Sequence, residues 1–229
     1  MEHPNNVKDL KTGTTTVGLI VGDTVVLAAD MRASMGNLAY DEESEKIYQI
    51  TDFMGVTNAG NVGDSLTIIR FLKSQAKLFE IEREERMTPR AASTLLSNVL
   101  NASRYYPYIV QLIVGGVNNK AELFEVTPFG ATLERKKYAA TGSGTDFAMN
   151  TLDQNYSPNM GEEDAIKLAI KAIEAGKKRD IYSGGESISV SVINRSGYRE
   201  LSRQEVQKYL GEMNGTATQA MGTKKNQRL

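Results

Sequence analysis

The 229-residue chain has no cysteine, no tryptophan and a single histidine. Without cysteine, disulfides, thiolate nucleophiles, iron-sulfur ligation and Cys-rich zinc sites are excluded. The one imidazole is His3, in a polar N-terminal stretch, so neither a Ser-His-Asp triad nor a multi-histidine metal site can be assembled. Any hydrolytic chemistry must find its base elsewhere. Charge is also nearly absent as a net quantity: 27 Lys and Arg against 28 Asp and Glu leave -1, with no electrostatic reason to expect nucleic acid. The strongest basic cluster is Lys224, Lys225 and Arg228 in the tail. No run approaches the ~18 uninterrupted apolar residues of a membrane span; the best candidate, Tyr108 to Val117, is broken by Gln111. The stretch holding Glu2, Pro4, Asn5, Asn6 and Asp9 lacks the apolar segment of a secretory signal. These absences together lead us to expect a cytoplasmic protein.

The length suits one large domain, and there is no internal repeat or linker between domains. From Thr14 the pattern becomes β-rich. Val17 to Val21 and Val25 to Ala29 are short apolar runs joined at Gly22-Asp23, and runs apolar on both faces predict strands buried on both sides. Ile47 to Ile50 and Gly55 to Ala59 form a second pair around Thr51-Asp52. Leu66, Ile69, Leu72, Ala76 and Phe79 then recur at helical spacing, predicting a long amphipathic helix from Val62 to about Arg86. Thr88 as N-cap with Pro89 at the first helical position starts another after a three-residue joint. Three strand-like runs follow, Tyr108 to Val117, Ala121 to Val126 and Ala131 to Tyr138, then helical patterns at Asp146 to Gln154 and Glu162 to Lys178. A strand through Ile188, Val190 and Val192, a short strand Tyr198 to Leu201 and a helix opened by the capping box Ser202-x-x-Glu205 complete the order. Beyond Met213 the composition is too polar to bury enough surface for order. Helices arriving in pairs between strand blocks predict an α+β sandwich, with two face-to-face sheets and helices on both outer faces.

The nucleophiles that remain are hydroxyls, lysines and carboxylates, and a hydroxyl needs a neighbouring base. Cleavage between Gly13 and Thr14 would give Thr14 both a hydroxyl and a free α-amine of pKa ~7.7 to 8.0, a general base at neutral pH. The plainer reading of Thr14-Thr15-Thr16 is a β-branched strand start. Asp30 ends one buried run and Lys46 opens another; unpaired, either charge would be costly there, and pairing is the remedy. Two surface charges at strand ends is the alternative. Asn58-Ala59-Gly60-Asn61-Val62-Gly63 joins a strand to the long helix, where backbone N-H groups can stabilise developing negative charge, or where Gly merely makes a turn. Thr141-Gly142-Ser143-Gly144 and Ser183-Gly184-Gly185 lack the Gly-Lys-Ser/Thr ending of a phosphate loop.

Taken together, these segments resemble the β subunits of the 20S proteasome, most closely the archaeal type, from about Thr14 to Leu210. The resemblance is carried by Gly13-Thr14-Thr15-Thr16-Val17-Gly18, Asn58-Ala59-Gly60-Asn61-Val62-Gly63-Asp64, Tyr108-x-x-Gln111-x-x-Val114-Gly115-Gly116, Thr141-Gly142-Ser143-Gly144 and Arg179-Asp180-x-x-Ser183-Gly184-Gly185, in the family's order. It implies the four-layer αββα fold of N-terminal-nucleophile hydrolases and a threonine endopeptidase that degrades unfolded proteins. By position, Thr14 is then the nucleophile, Lys46 lowers its pKa, Asp30 orients Lys46, and Ser143, Asp180 and Ser183 complete the network around the threonine amine. The Gly60 N-H becomes the oxyanion donor, and Ala33, Tyr48, Asn58 and Val62 line the pocket before the cut. Asn58 departs from the apolar residue often found at its position in chymotrypsin-like members and points to a broader preference. The resemblance further implies autocatalytic loss of residues 1–13, a single peptidase domain over 14–212 and a polar tail over 213–229. It also implies seven-membered β rings stacked with α-subunit rings, substrate fed by an ATP-dependent unfoldase, and no metal, organic cofactor, nucleic acid or membrane. The two-component bacterial heat-shock peptidase shares the Thr nucleophile but is generally shorter. A non-catalytic, α-like ring subunit would not carry all six of Thr14, Asp30, Lys46, Ser143, Asp180 and Ser183.

Overall fold

A computed structural model describes residues 13–213. The expected leader up to Thr12 and the tail from 214 onward lie outside the described residues. Strands β1 (Thr16–Val21) and β2 (Thr24–Asp30) form a hairpin, the two-residue turn falling at Gly22, whose φ is +54°. Two short strands, β3 (Ala33–Met35) and β4 (Leu38–Asp41), make a separate exposed hairpin. Next come β5 (Ile47–Thr51), β6 (Met54–Gly60), helices α1 (Val62–Arg83) and α2 (Pro89–Ala102), then β7 (Val110–Val117), β8 (Ala121–Val126), β9 (Thr132–Glu134) and β10 (Tyr138–Thr141). Helices α3 (Thr145–Asn155) and α4 (Glu162–Arg179), strands β11 (Ile188–Asn194) and β12 (Gly197–Glu200), and a helix over 203–213 complete the described chain.

Two five-stranded antiparallel sheets result, ordered β10-β1-β2-β11-β12 and β5-β6-β7-β8-β9. Three apolar layers hold them. Val25, Leu27 and Ala29 of β2 face Ile47, Ile113 and Leu123 between the sheets, while Val26 and Ala28 pack outward with Ile166, Ala169, Ile170 and Ile173 of α4. On the far side, Val56, Leu112, Val114 and Phe124 pack with Ile68, Leu72, Leu96 and Leu100 of α1 and α2. Successive strand residues point to opposite faces, so a strand with core on both sides must read as a continuous apolar run. The architecture is the predicted αββα sandwich. Among the described residues no helix is long and apolar enough to cross a membrane.

Two local expectations are corrected, and one element had no counterpart in the sequence reading. The run Ala131 to Tyr138 is not one strand: β9 pairs with β8 in one sheet and β10 with β1 in the other, and the chain crosses between sheets at Arg135-Lys136-Lys137, where three cations cannot enter the core. Helix α1 ends at Arg83, because Glu84 adopts a left-handed conformation (φ +54°) and returns its N-H to the Glu80 carbonyl; the joint to α2 is therefore five residues, 84–88. The β3-β4 hairpin went unpredicted because β4 is wholly exposed, leaving no alternating burial pattern to read. Thr88 does cap α2, accepting the Ala91 N-H at 3.1 Å with Pro89 in the first turn, and Ser202 and Glu205 exchange their capping-box hydrogen bonds.

Where the sheets meet, Gly18 and Gly115 leave room for large neighbours. A Cβ at Gly18 would lie 2.8 Å from Leu123 Cδ1, and one at Gly115 would lie 2.8 Å from Val25 Cγ1. Gly115→Val is expected to cost about 1–3 kcal/mol by overpacking. The check is a lower denaturant midpoint at unchanged slope; an unchanged midpoint would mean the interface has spare room.

Candidate active site

Strand register brings the predicted residues to one end of both sheets. Thr16 opposes Ala29 on one side and Thr141 on the other, and Asp30 opposes Ile188. The chain leading into β1, the end of β2, the β10–α3 turn and the approach to β11 therefore converge. They supply Thr14, Asp30, Ser143, Asp180 and Ser183. The second sheet contributes Lys46, just before β5, and Gly60, the last residue of β6.

Asp30 is fully buried and Lys46 is 4% exposed. Lys46 Nζ donates to Asp30 Oδ1 at 2.7 Å, and the Thr15 N-H donates to the same oxygen at 2.9 Å. Oδ2 accepts the Gly184 N-H at 2.8 Å and the Arg32 N-H at 3.3 Å. A buried carboxylate is tolerable only when its lone pairs are occupied, and four donors occupy these. Burial lowers the Lys46 pKa below its ordinary 10.5, with Asp30 opposing the shift. The surface-charge reading of this pair is thereby removed.

Thr14 is buried, 4% exposed. Its hydroxyl donates to the Gly13 carbonyl oxygen at 2.6 Å, and its N-H donates to Ser143 Oγ at 3.1 Å. Ser143 and Ser183 each donate to Asp180 Oδ2, Ser183 at 2.6 Å. Having spent its proton on Asp180, Ser183 accepts from Thr15 Oγ1 at 2.7 Å. A continuous hydrogen-bonded chain thus runs from the Thr14 nitrogen through Ser143, Asp180 and Ser183 to Thr15. Among the described residues no buried side-chain nitrogen or oxygen lacks a partner.

One cleft is lined by Gly13, Thr14, Lys46 and Gly60 together with all four expected wall positions, Ala33, Tyr48, Asn58 and Val62. Tyr48 is held by donating to the Glu45 carbonyl at 2.7 Å, and burial, helped by Glu45, pushes its pKa up to about 12, so it stays neutral. Asn58 Oδ1 accepts from Ser65 Oγ. At Gly60, φ is +131° and a Cβ would lie 2.1 Å from the Ile109 carbonyl oxygen, so only glycine fits. The broader expectation of free N-H groups along this joint needs correction: Asn61 Oδ1 already takes the Gly63 and Asp64 N-H groups at 2.9 and 3.2 Å.

The sequence profile described as "Proteasome subunit" matches residues 10–193. The chain belongs to the proteasome subunit family. It is 44% identical over 207 residues to the proteasome subunit beta of Methanocaldococcus fervens, covering 90% of this chain and 92% of that one. Against proteasome subunit beta of Archaeoglobus fulgidus it is 42% identical over 201 residues, 87% of this chain and 94% of the relative. Proteasome subunit beta 2 of Pyrococcus furiosus is 42% identical over 205 residues, 90% and 98% of the two chains. The resemblance to archaeal-type 20S β subunits is therefore borne out over nearly the whole chain.

Several members of this cluster escaped sequence reasoning. Thr15 was read only as a strand residue, yet both its N-H and its hydroxyl join the network. A signal existed: Gly176 interrupts the helix-forming run of α4, and a Cβ there would lie 2.4 Å from Thr15 Oγ1. Arg32 rests against Gly184, pairs with Glu42 at 3.1 Å and reaches the Ser183 carbonyl at 3.5 Å. Ser34, Ser44 and Glu45 add polar groups to the cleft; they lie in the hairpin and loop that carry no periodic pattern.

Asp30→Asn keeps the side-chain shape but leaves the Lys46 charge buried without its counter-ion. We expect a loss of about 3–5 kcal/mol in stability, measured by denaturant unfolding, together with a further fall in the Lys46 pKa measured by NMR titration. Unchanged stability would mean that the pair is not a buried charge pair in solution.

Proposed function

We propose that this chain is a threonine-type endopeptidase, the catalytic β subunit of a proteasome core particle, with Thr14 as nucleophile after residues 1–13 are removed. The observation that carries the reading is the Thr14 hydroxyl seated on the carbonyl of its own preceding residue, while the Thr14 nitrogen rests on Ser143. In the first reaction Thr14 Oγ1 attacks the Gly13 carbonyl carbon. The new C-O bond replaces the C-N bond, the hydroxyl proton passes to the Thr14 nitrogen, and water then hydrolyses the ester. The products are a Gly13 carboxylate and a Thr14 with a free amine.

That amine is the base the histidine-poor sequence lacked. With a pKa of ~8 a usable minority of it is neutral at physiological pH, and Ser143, held by Asp180, is ready to accept one of its N-H bonds. In turnover the amine takes the hydroxyl proton as Oγ1 attacks a substrate peptide carbonyl, and Lys46, charged and oriented by Asp30, favours the developing alkoxide. The Gly60 N-H receives the oxyanion. The leaving amine takes the proton from the Thr14 nitrogen, an ester acyl-enzyme remains, and water activated by the same amine releases the second product. This route uses only side chains, backbone and water. The pocket of Ala33, Tyr48, Asn58 and Val62 suits large apolar residues before the cut, with Asn58 and the neighbouring Glu45 broadening the choice. We further propose seven-membered β rings stacked on α-subunit rings in the cytoplasm, unfolded protein reaching the chamber through an ATP-dependent unfoldase.

Intact mass of the chain co-assembled with α subunits is expected to correspond to a start at Thr14; an assembled, peptide-cleaving particle that keeps residues 1–13 would sink the mechanism. Thr14→Ala is expected to keep its leader, still form rings and lose more than about a thousandfold in peptidase rate. Full activity there would put the nucleophile elsewhere.

The pH profile of kcat/KM should be bell-shaped. Its acidic limb follows loss of the amine proton near ~8. Its alkaline limb follows loss of the Lys46 proton, and because burial lowers that pKa the limb falls below 10.5. An alkaline limb at or above the ordinary lysine value would exclude Lys46 as the charged group.

A further inference from the structure

Asn58 is 6% exposed and fixed in β6, its N-H donating to the Lys46 carbonyl at 2.9 Å and its backbone paired with Leu112 of β7. Its side chain meets Ser65 of α1 and also lines the cleft that holds Thr14. With the amide oxygen toward Ser65, Asn58 Oδ1 and the Asn61 carbonyl oxygen, the latter at 2.6 Å, both stand as acceptors of the one Ser65 hydroxyl. A hydroxyl carries a single proton. Whichever oxygen goes without it faces Ser65 Oγ with nothing between their lone pairs. The oxygen and nitrogen of an amide differ little in size, and the surrounding hydrogen bonds decide which is which. Exchanging them removes the conflict: Nδ2 donates to Ser65 Oγ, and Ser65 donates to the Asn61 carbonyl four residues back, a common bond for a serine in a helix. Among the described residues no buried side-chain nitrogen or oxygen lacks a partner, and the end of the Asn58 amide turned from Ser65 has none, so that end is open to the cleft.

We propose that Asn58 turns its amide oxygen to the cleft and, with the carboxylate of Glu45, selects substrates that carry a cationic side chain, lysine or arginine, before the cut. The inference rests on the reading of this cleft as a peptidase pocket. Glu45 is exposed, lines the cleft and acts on Tyr48 by its charge, and among the described residues no cation pairs with it. Lys46, the one cation in the lining, is balanced by Asp30 at 2.7 Å. Helix α1 opens beside the cleft, but Asn61 takes the Gly63 and Asp64 N-H groups and Asp64 puts a negative charge in the first turn, so little is left there for an anion. Ala33 and Val62 give the methylenes of a long side chain apolar surface. Its ammonium then meets two acceptors, whereas a glutamate would meet the same acceptors with no proton to offer.

Chains co-assembled with α subunits are assayed on fluorogenic peptides identical except for the residue before the cut, which is lysine, norleucine or glutamate. Norleucine keeps the carbon chain of lysine without its ammonium. The parent should show a kcat/KM about tenfold higher for lysine than for norleucine, the scale of one hydrogen bond to a charged group, and lower still for glutamate. Asn58→Leu should remove most of the lysine-to-norleucine ratio. Glu45→Gln should lower it about threefold, the scale of an exposed ion pair, and added salt should shrink the parent ratio as well. The proposal is overturned if the parent cuts after lysine no faster than after norleucine, if it prefers glutamate to lysine, or if either variant keeps the parent ratio. Should Asn58→Leu fail to assemble, Ser65→Ala frees the amide to turn and is expected to lower the ratio; an unchanged ratio there overturns the proposal equally. A parent particle that cuts none of the three peptides, or a Thr14→Ala particle that cuts them at the parent rate, defeats instead the peptidase reading, a separate result.

Discussion

The buried carboxylate of Asp30 is the contact on which the site depends. It binds Lys46 from the other sheet, the Thr15 N-H ahead of β1, the Gly184 N-H ahead of β11 and the Arg32 N-H that begins the exposed hairpin. Four separate stretches of chain are thereby tied to one group. Removing two ions from water costs several kcal/mol each, and only a fully satisfied arrangement offsets it. Those four donors together hold this end of the sandwich in place. The proposed chemistry would inherit this rigidity, since the carboxylate that opposes loss of the Lys46 charge also holds the backbone one residue from Thr14.

Around that anchor the fold supplies a stage with little freedom to slip. Each strand of the central pair is buried on both faces, and a shift of one residue would exchange the interface facing the other sheet with the interface facing the helices. Leu27 would then point at α4 and Ala28 at the second sheet, a mismatch of volume on both sides. Register is thus determined by the core, and register in turn sets Thr16 beside Ala29 and Asp30 beside Ile188. Glycines work by steric absence here. Gly18 and Gly115 let the sheets close, and Gly144 and Gly176 admit Thr15.

Much of the architecture was legible because burial leaves a periodic trace. The two-sided strands, the α2 cap at Thr88-Pro89 and the capping box at Ser202 were read from local pattern and found in place. The failures have a common cause. Strands β9 and β10 looked like one run because each is short and apolar enough, and only pairing partners reveal that they belong to different sheets. The β3-β4 hairpin is exposed and therefore unpatterned, and it hid Ser34 and Arg32 with it. Glu84 ended α1 early by adopting a left-handed conformation that its residue type does not announce.

The sequence alone determined what chemistry was available: no thiol, one imidazole near the N-terminus, a threonine after a glycine, and an Asp and a Lys at the mouths of buried strands. It also carried the motifs that mark the family. Tertiary structure decided which of these groups act together. Whether Asp30 and Lys46 were two surface charges or one pair depended on sheet packing, because a sequence separation of sixteen positions carries no distance information. The enlistment of Thr15 was likewise invisible in one dimension. Hydrogen bonds and steric exclusion act over a few ångströms of space, and only the folded chain says which residues share them.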